Sequence, residues 1–234
     1  MPARIAIVLL LAAPAAAQTP SERAEALEDS CKDGAAVDCV ELAGMYAEGE
    51  GLARDAEKAT DFFEKACELG DGPACLEYAR RRRTGEGTKK DTERAVQLYE
   101  QACTGGVPAA CAELAGALEE GTDIPRHLGR AAELHEKACE AGIAASCGRL
   151  GAMYEIGSPM ARDESRAAGL LQKACEADDL PSCQRLAGML REGRGTPADL
   201  ARAAELAGRA CDGGMQPACA LLVCGLFLFP KDFA

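Results

Sequence analysis

Small and large apolar residues recur along this chain at steps of three and four, and the pattern renews itself every 36 residues. Ala59, Ala95, Ala131, Ala167 and Ala203 form one column; Ala66, Ala102, Ala138, Ala174 and Ala210 form another. Phe62, Leu98, Leu134, Leu170 and Leu206 lie between them. Those steps place all three columns on one helical face. Small Ala lets neighbouring helices approach closely, and the larger residue fills the layer between. The pattern predicts a helix, B, from about Asp55 to Leu69 in the first unit and its counterpart in each later unit.

A second helix, A, follows from Leu42, Leu114, Leu150 and Leu186, with Met45, Met153 and Met189 three residues later. It ends at Gly49, Gly85, Gly121, Gly157 and Gly193, where a left-handed cap without a Cβ costs least. Helix B starts behind Asp55, Asp91, Asp163 and Asp199, each able to accept from first-turn amides; His127 takes that place in the third unit. A basic residue follows each cap by three (Lys58, Arg94, Arg130, Arg166, Arg202). The helix dipole does not favour cations there, so these are expected to pair with acids of the next unit.

The cysteines keep the same period. One series falls at 31, 67, 103, 139, 175 and 211, the other at 39, 75, 111, 147, 183 and 219. Six C-x7-C pairs at a fixed interval make the chain an array rather than a single compact core. Cys67 falls in the last turn of helix B and Cys75 in the first turns of the next helix A. Gly70, Gly72 and Pro73 reverse the chain between them, so the two thiols face each other across an αα-hairpin. The expected bridges are Cys31–Cys39, Cys67–Cys75, Cys103–Cys111, Cys139–Cys147, Cys175–Cys183 and Cys211–Cys219. Closing so short a loop is worth about 2–2.5 kcal/mol per bridge in the chain-entropy view. The fold class is thus all-α: a disulfide-stapled α/α solenoid of helix-turn-helix units. Its units span 39–74, 75–110, 111–146, 147–182 and 183–218. A half-repeat of helix B type at 18–38 closes one end, and a half-repeat with an apolar cap at 219–234 closes the other.

Arg4, the apolar run Ile5 to Ala13 and Ala15-Ala16-Ala17 before Gln18 read as a signal peptide over residues 1–17. Its removal changes the formal charge from −12 to −13 (25 basic against 38 acidic residues). The destination is periplasmic or secreted, an oxidising place that thirteen cysteines also require. The last apolar run, Ala220 to Phe229, is too short to span a bilayer; it either folds back over the last unit or leaves a patch for a partner. An acidic balance argues against nucleic acid as a partner, because phosphate neutralisation needs clustered cations. Nine aromatic residues and no Trp are few for a globular core; a covalent staple in each small hairpin compensates. The odd thirteenth cysteine, Cys224, shares a column with Gly44, Gly116 and Gly188. It is read as a buried free thiol at a helix crossing in preference to a dimer-linking disulfide.

These columns resemble the Sel-1-like repeat family, relatives of the tetratricopeptide repeats. Its helix A pattern LGxMYxxGxG is similar to Leu42-Ala43-Gly44-Met45-Tyr46-Ala47-Glu48-Gly49-Glu50-Gly51. Its helix B pattern is similar to Asp55-Ala56-Glu57-Lys58-Ala59 through Phe62-Phe63-Glu64-Lys65-Ala66. The C-x7-C in each unit resembles the secreted cysteine-rich, Hcp-type branch. The resemblance covers residues 21 to 234 and implies a right-handed solenoid with a concave face. It implies a scaffold for a protein or peptide in the cell envelope or outside the cell. Some cysteine-rich members are described as penicillin-binding or weakly β-lactam-hydrolysing, which adds a β-lactam or peptidoglycan-like ligand as the alternative.

The residues themselves name no catalytic group. No Ser-x-x-Lys occurs, so the serine β-lactamase nucleophile is missing. His127 and His135 are too few for a histidine-rich zinc site, and C-x-x-C is absent. Neither a metal nor a cofactor is implied. The sharpest local feature is Arg80-Arg81-Arg82-Arg83, in columns that elsewhere hold Gly44, Met45, Tyr46 and Ala47, with Lys89 and Lys90 following. It reads either as a helix end paired with nearby Glu residues or as a clamp for an anionic ligand or acidic peptide. His135 shares a column with Phe63, Tyr99 and Leu171, where residues lining the superhelix are expected. Tyr46, Tyr154, Tyr99 and Phe63 are candidate aromatic anchors along the groove, with core packing as the other reading of each.

Overall fold

The computed structural model describes residues 19–216. Among them run eleven α-helices and no strand. Helix α1 (Pro20–Lys32) precedes five A/B pairs: α2 (Ala36–Glu48) with α3 (Ala56–Glu68), α4 (Gly72–Thr84) with α5 (Thr92–Thr104), and α6 (Pro108–Glu120) with α7 (Leu128–Glu140). The pairs α8 (Ala144–Ile156) with α9 (Glu164–Glu176) and α10 (Leu180–Glu192) with α11 (Leu200–Asp212) complete the array. Each helix packs on its neighbours in sequence, and contacts between more distant helices are sparse. That is the solenoid the repeat implies.

Helix ends fall where the punctuation puts them. The five A helices stop at Gly49, Gly85, Gly121, Gly157 and Gly193, all left-handed. Asp55, Asp91, Asp163 and Asp199 cap the B helices by accepting from first-turn amides. His127 does so through Nδ1, which accepts from the Arg130 amide at 3.1 Å. Both alanine columns are buried along their whole length, so adjacent helices touch nearly backbone to backbone and Leu98, Leu134 and Leu206 fill the layer.

The loop after helix A carries a further constraint. Gly87 (φ +64°) lies against the start of α3, where a Cβ would stand 1.9 Å from the Ala56 carbonyl oxygen. Gly195 (φ +66°) repeats this against Glu164, at 2.1 Å. The loop thereby packs on the first turn of the preceding B helix, and the Thr60 hydroxyl proton lies between the Ala56 carbonyl of its own helix at 2.8 Å and the Glu86 carbonyl across the junction at 3.1 Å.

Five of the six expected bridges are present: Cys31–Cys39, Cys67–Cys75, Cys103–Cys111, Cys139–Cys147 and Cys175–Cys183, with Cα separations of 4.5–4.9 Å. Cys211 is disulfide-bonded; its expected partner Cys219 lies outside the described residues. So do the expected signal peptide at 1–17, the expected C-terminal cap at 219–234 and Cys224. Each bridge ties a B helix to the next A helix. Two basic side chains tie consecutive B helices instead: Lys173 Nζ of α9 donates to the Cys139 carbonyl of α7 at 2.9 Å, and Arg209 Nη2 of α11 to the Cys175 carbonyl of α9 at 3.3 Å.

Of the five cations after the helix-B caps, two turn backwards and three stay within their own unit, Arg94 by donating to Gln97 Oε1 at 3.2 Å. Arg130 pairs with Glu100, and Arg166 with Glu136 at 2.6 Å, each an acid of the preceding unit. Consecutive B helices lie side by side, so a first-turn side chain faces the third turn of the helix already laid down. Lys58 instead stands 4.9 Å over the Tyr46 ring of its own unit, and Arg202 lies 3.8 Å from Glu205.

Candidate functional site on the helix A face

The A helices stand in a row, and their charged residues make a ladder. Arg83 in the last turn of α4 reaches Glu113 of α6 at 3.6 Å. Glu119 in the last turn of α6 faces Arg149 of α8 at 4.0 Å, and Glu155 of α8 faces Arg185 of α10 at 3.3 Å. Each rung joins residues 30 apart, but the charges change places after the first. Arg194 reinforces Glu155 at 3.0 Å.

All four consecutive arginines are engaged within the fold. Arg80 binds Glu77 and Glu113, at 2.5 and 3.0 Å. Arg81, 8% exposed, sits in the column of Met45, 5.1 Å over the Phe63 ring and 3.6 Å from Glu86. Arg82 Nε donates to the Tyr78 hydroxyl at 2.8 Å, which in turn donates to Glu64 at 2.6 Å. Burial is the largest effect raising the Tyr78 phenol, and Glu64 adds to it. Arg83 shares Glu113 with Arg80.

The aromatic candidates divide into two sets. Phe63, Tyr99 and His135 share their column with Leu171, and all four are buried between helices. Burial, chiefly, pushes the Tyr99 phenol up, with the Arg83 guanidinium acting against it. Tyr46 and Tyr154 are half-buried. Tyr46 stacks on Phe62 with ring centroids 5.8 Å apart, and the Arg166 guanidinium lies 4.5 Å over Tyr154. The structure therefore does not gather the nine candidate side chains into one site.

What it does form is a surface cleft of about 640 Å³ centred on α6. Its floor is Ala109, Ala112 and Gly116; Arg83 of α4, Arg126 of the α6–α7 loop and Arg149 of α8 stand around it. His135, 3% exposed, reaches it from α7. Its Nδ1 lies 3.2 Å from Ser146 Oγ and its Nε2 3.5 Å from Glu119 Oε2. The His135 ring holds the Glu119 carboxyl below its usual range, against the effect of burial, with Arg149 and Arg126 adding in the same direction. Ser, His and Glu in a row match the composition of a hydrolytic triad. Ser146, however, is 1% exposed, which leaves its hydroxyl no approach to an acyl group. Among the described residues no three metal-ligating side chains converge, and no helix is long and apolar enough to cross a membrane.

Of the cleft's side chains, sequence reasoning had singled out only Arg83 and His135. The signal for Glu113, Glu119 and Arg149 was the sign of the charge in two columns, Ala47-Arg83-Glu119-Glu155-Arg191 and Glu41-Glu77-Glu113-Arg149-Arg185, compared at an offset of 30 rather than 36; Arg126 and Ser146 lie in neither column.

Comparison with known proteins agrees with this architecture. A Sel1 repeat protein from Oxalobacter formigenes superposes with a TM-score of 0.77 at 21% identity, over 91% of this chain and 87% of that one. The uropathogenic Escherichia coli protective antigen c5321, which displays an SLR fold, gives 0.53 at 26% identity, over 87% of this chain and 52% of its own. Helicobacter pylori cysteine rich protein B gives 0.44 at 25% identity, over 56% of this chain and 93% of its own. No curated protein matches the sequence. The Sel1 repeat profile matches five times, at residues 37–71, 72–107, 108–143, 144–179 and 180–215, and the chain belongs to the Sel1 repeat family.

Proposed function

We propose that this protein is a binding scaffold of an oxidising compartment, periplasmic or secreted, that holds a protein or peptide partner on its helix A face. One observation carries the reading. A Cβ on Gly44, Gly116 or Gly188 would meet nothing within 4 Å, so one column of that face stays open in three of the five units, and at Gly116 it opens into the cleft. A face built for packing would fill such positions. The disulfides and the N-terminal stretch 1–17 support the compartment.

The test is crosslinking in cells that make the protein, followed by mass spectrometry. The wild type is compared with a variant carrying Gly44→Leu, Gly116→Leu and Gly188→Leu. A stoichiometric partner recovered with the wild type and lost with the variant is the expected result. The same partner from both, or none from either, removes the reading. The β-lactam alternative rests on family resemblance alone; hydrolysis by purified, oxidised protein that the triple variant lacks would establish it instead.

A further inference from the structure

One side of α2 repeats one side of α6. Glu41, Gly44 and Glu48 stand in the columns of Glu113, Gly116 and Glu120, and steps of three and four put each trio on a single helical face. On α6 that face already holds guanidinium groups. Arg80 and Arg83, one turn apart on the preceding helix α4, both reach Glu113, at 3.0 and 3.6 Å. The molecule thus displays how an arginine-bearing helix docks on this arrangement. No helix A precedes α2 among the described residues. By the same offsets the chain itself would have to supply residues 8 and 11, and Val8 and Leu11 carry no charge.

Beside α2 lies a cleft of about 420 Å³, between that helix and the start of α1. Pro20, Gly44 and Met45 give it an apolar floor, and Glu41, Glu48 and Glu50 line it with carboxylates. Its one cation, Arg23, is engaged with Glu41. Glu48 and Glu50 make no ion pair and no side-chain hydrogen bond among the described residues, and none of the three acids is buried. The wider field has the same sign. Residues 19–71 carry fifteen acidic and five basic side chains, against twenty-two and nineteen over 72–216, so a cation is drawn to this end of the solenoid. A planar guanidinium fork suits such carboxylates better than an ammonium point charge. We infer that this cleft receives an arginine-bearing helix of the partner, laid along α2 as α4 lies along α6, with its guanidinium groups on Glu41, Glu48 and Glu50 and its body over Gly44. The inference rests on the helix A reading above and names the chemistry of the partner that this face takes.

The probe is a fluorescently labelled, C-amidated, alanine-rich helical peptide with arginines at i, i+3 and i+7. Its uncharged twin carries citrulline at the same places. Anisotropy is read with the purified, oxidised protein at physiological ionic strength. The arginine peptide should bind and the citrulline peptide should not. Glu48→Gln with Glu50→Gln should weaken binding about tenfold or more. Glu57→Gln with Asp61→Asn removes the same charge from exposed positions of α3 and should leave binding within about twofold, because charges that make no contact are screened. Gly44→Leu, whose Cβ meets no neighbour, should abolish binding without lowering the melting temperature. Equal losses from the two acidic pairs would reduce the effect to diffuse attraction by an acidic chain and overturn the inference. So would binding of the citrulline peptide, binding unchanged in Gly44→Leu, or no binding of the arginine peptide in the millimolar range. Partner capture by the helix A face, read by crosslinking, decides the broader reading separately.

Discussion

The Tyr78 hydroxyl donates to Glu64 at 2.6 Å while accepting from Arg82 at 2.8 Å, joining two helices that the Cys67–Cys75 bridge already links. Tyr78 is 1% exposed and stands in the column that is Leu elsewhere. A ring in place of Leu brings a polar tip into the core, and the Arg82–Glu64 pair satisfies it. Tyr78→Phe keeps the packing and removes the link, so it should cost about 1–2 kcal/mol, read as a lower midpoint in urea. A midpoint equal to that of the wild type would show the network to be idle.

The same unit shows what the sequence made legible and what it did not. The period, the cap residues, the alanine columns and the cysteine pairing all depend on spacing within one or two helices, and local spacing is what a sequence displays. Arg81 is different. Its column, Met at 45, 153 and 189, marks an inward position, but how a guanidinium is accommodated there depends on the Phe63 ring and on Glu86 arriving together. The rungs Arg83–Glu113 and Glu119–Arg149 depend on how far successive A helices slide past one another, a quantity fixed by packing. The expectation that helix-B cations pair forwards failed on a similar quantity: Arg130 of α7 meets Glu100 of α5, and which acid it reaches depends on how successive units are set beside one another.

Glu119 makes the ladder pH-sensitive. Its folded-state pKa lies below the ordinary glutamate value, first through His135 and then through Arg149 and Arg126. A depressed carboxyl pKa contributes stability that is present above the unfolded value of about 4.3. That stability is lost as pH falls through the lower folded value. The wild type should therefore be more stable than Glu119→Gln at pH 7, and the difference should shrink as the pH drops below the ordinary carboxylate range. Urea denaturation of both proteins along a pH series checks this; a difference independent of pH would assign the effect to packing rather than charge.

The bridges should be worth nearly the same wherever they are cut, because each closes the same eight-residue separation. Replacing Cys103 and Cys111 together by Ser should cost about 2.5 kcal/mol. The loss should be concentrated where α5 meets α6, since contacts beyond neighbouring helices are sparse. Hydrogen exchange resolved by peptide is the suitable measurement. Faster exchange in α5 and α6, with α10 and α11 unchanged, is expected; uniform acceleration along the chain would mean that the array unfolds as one cooperative unit.

Two glycines with positive φ separate backbone conformation from close approach. Gly106 (φ +87°) has open space where a Cβ would go, so Gly106→Ala meets only the left-handed penalty, about 1–2 kcal/mol. Gly87 (φ +64°) would place its Cβ 1.9 Å from the Ala56 carbonyl oxygen and 2.7 Å from Thr60 Oγ1. Relief requires the loop to lift from α3, and lifting breaks the contact of Thr60 Oγ1 with the Glu86 carbonyl. Gly87→Ala should therefore cost clearly more than Gly106→Ala, and Thr60→Val should lose much of its own effect when combined with it, because the contact is already gone. Thermal midpoints of the three single and double variants test this coupling. Equal costs for the two glycine substitutions would mean that the loop can move away freely, and the junction between units would then depend on the disulfide and the alanine columns instead.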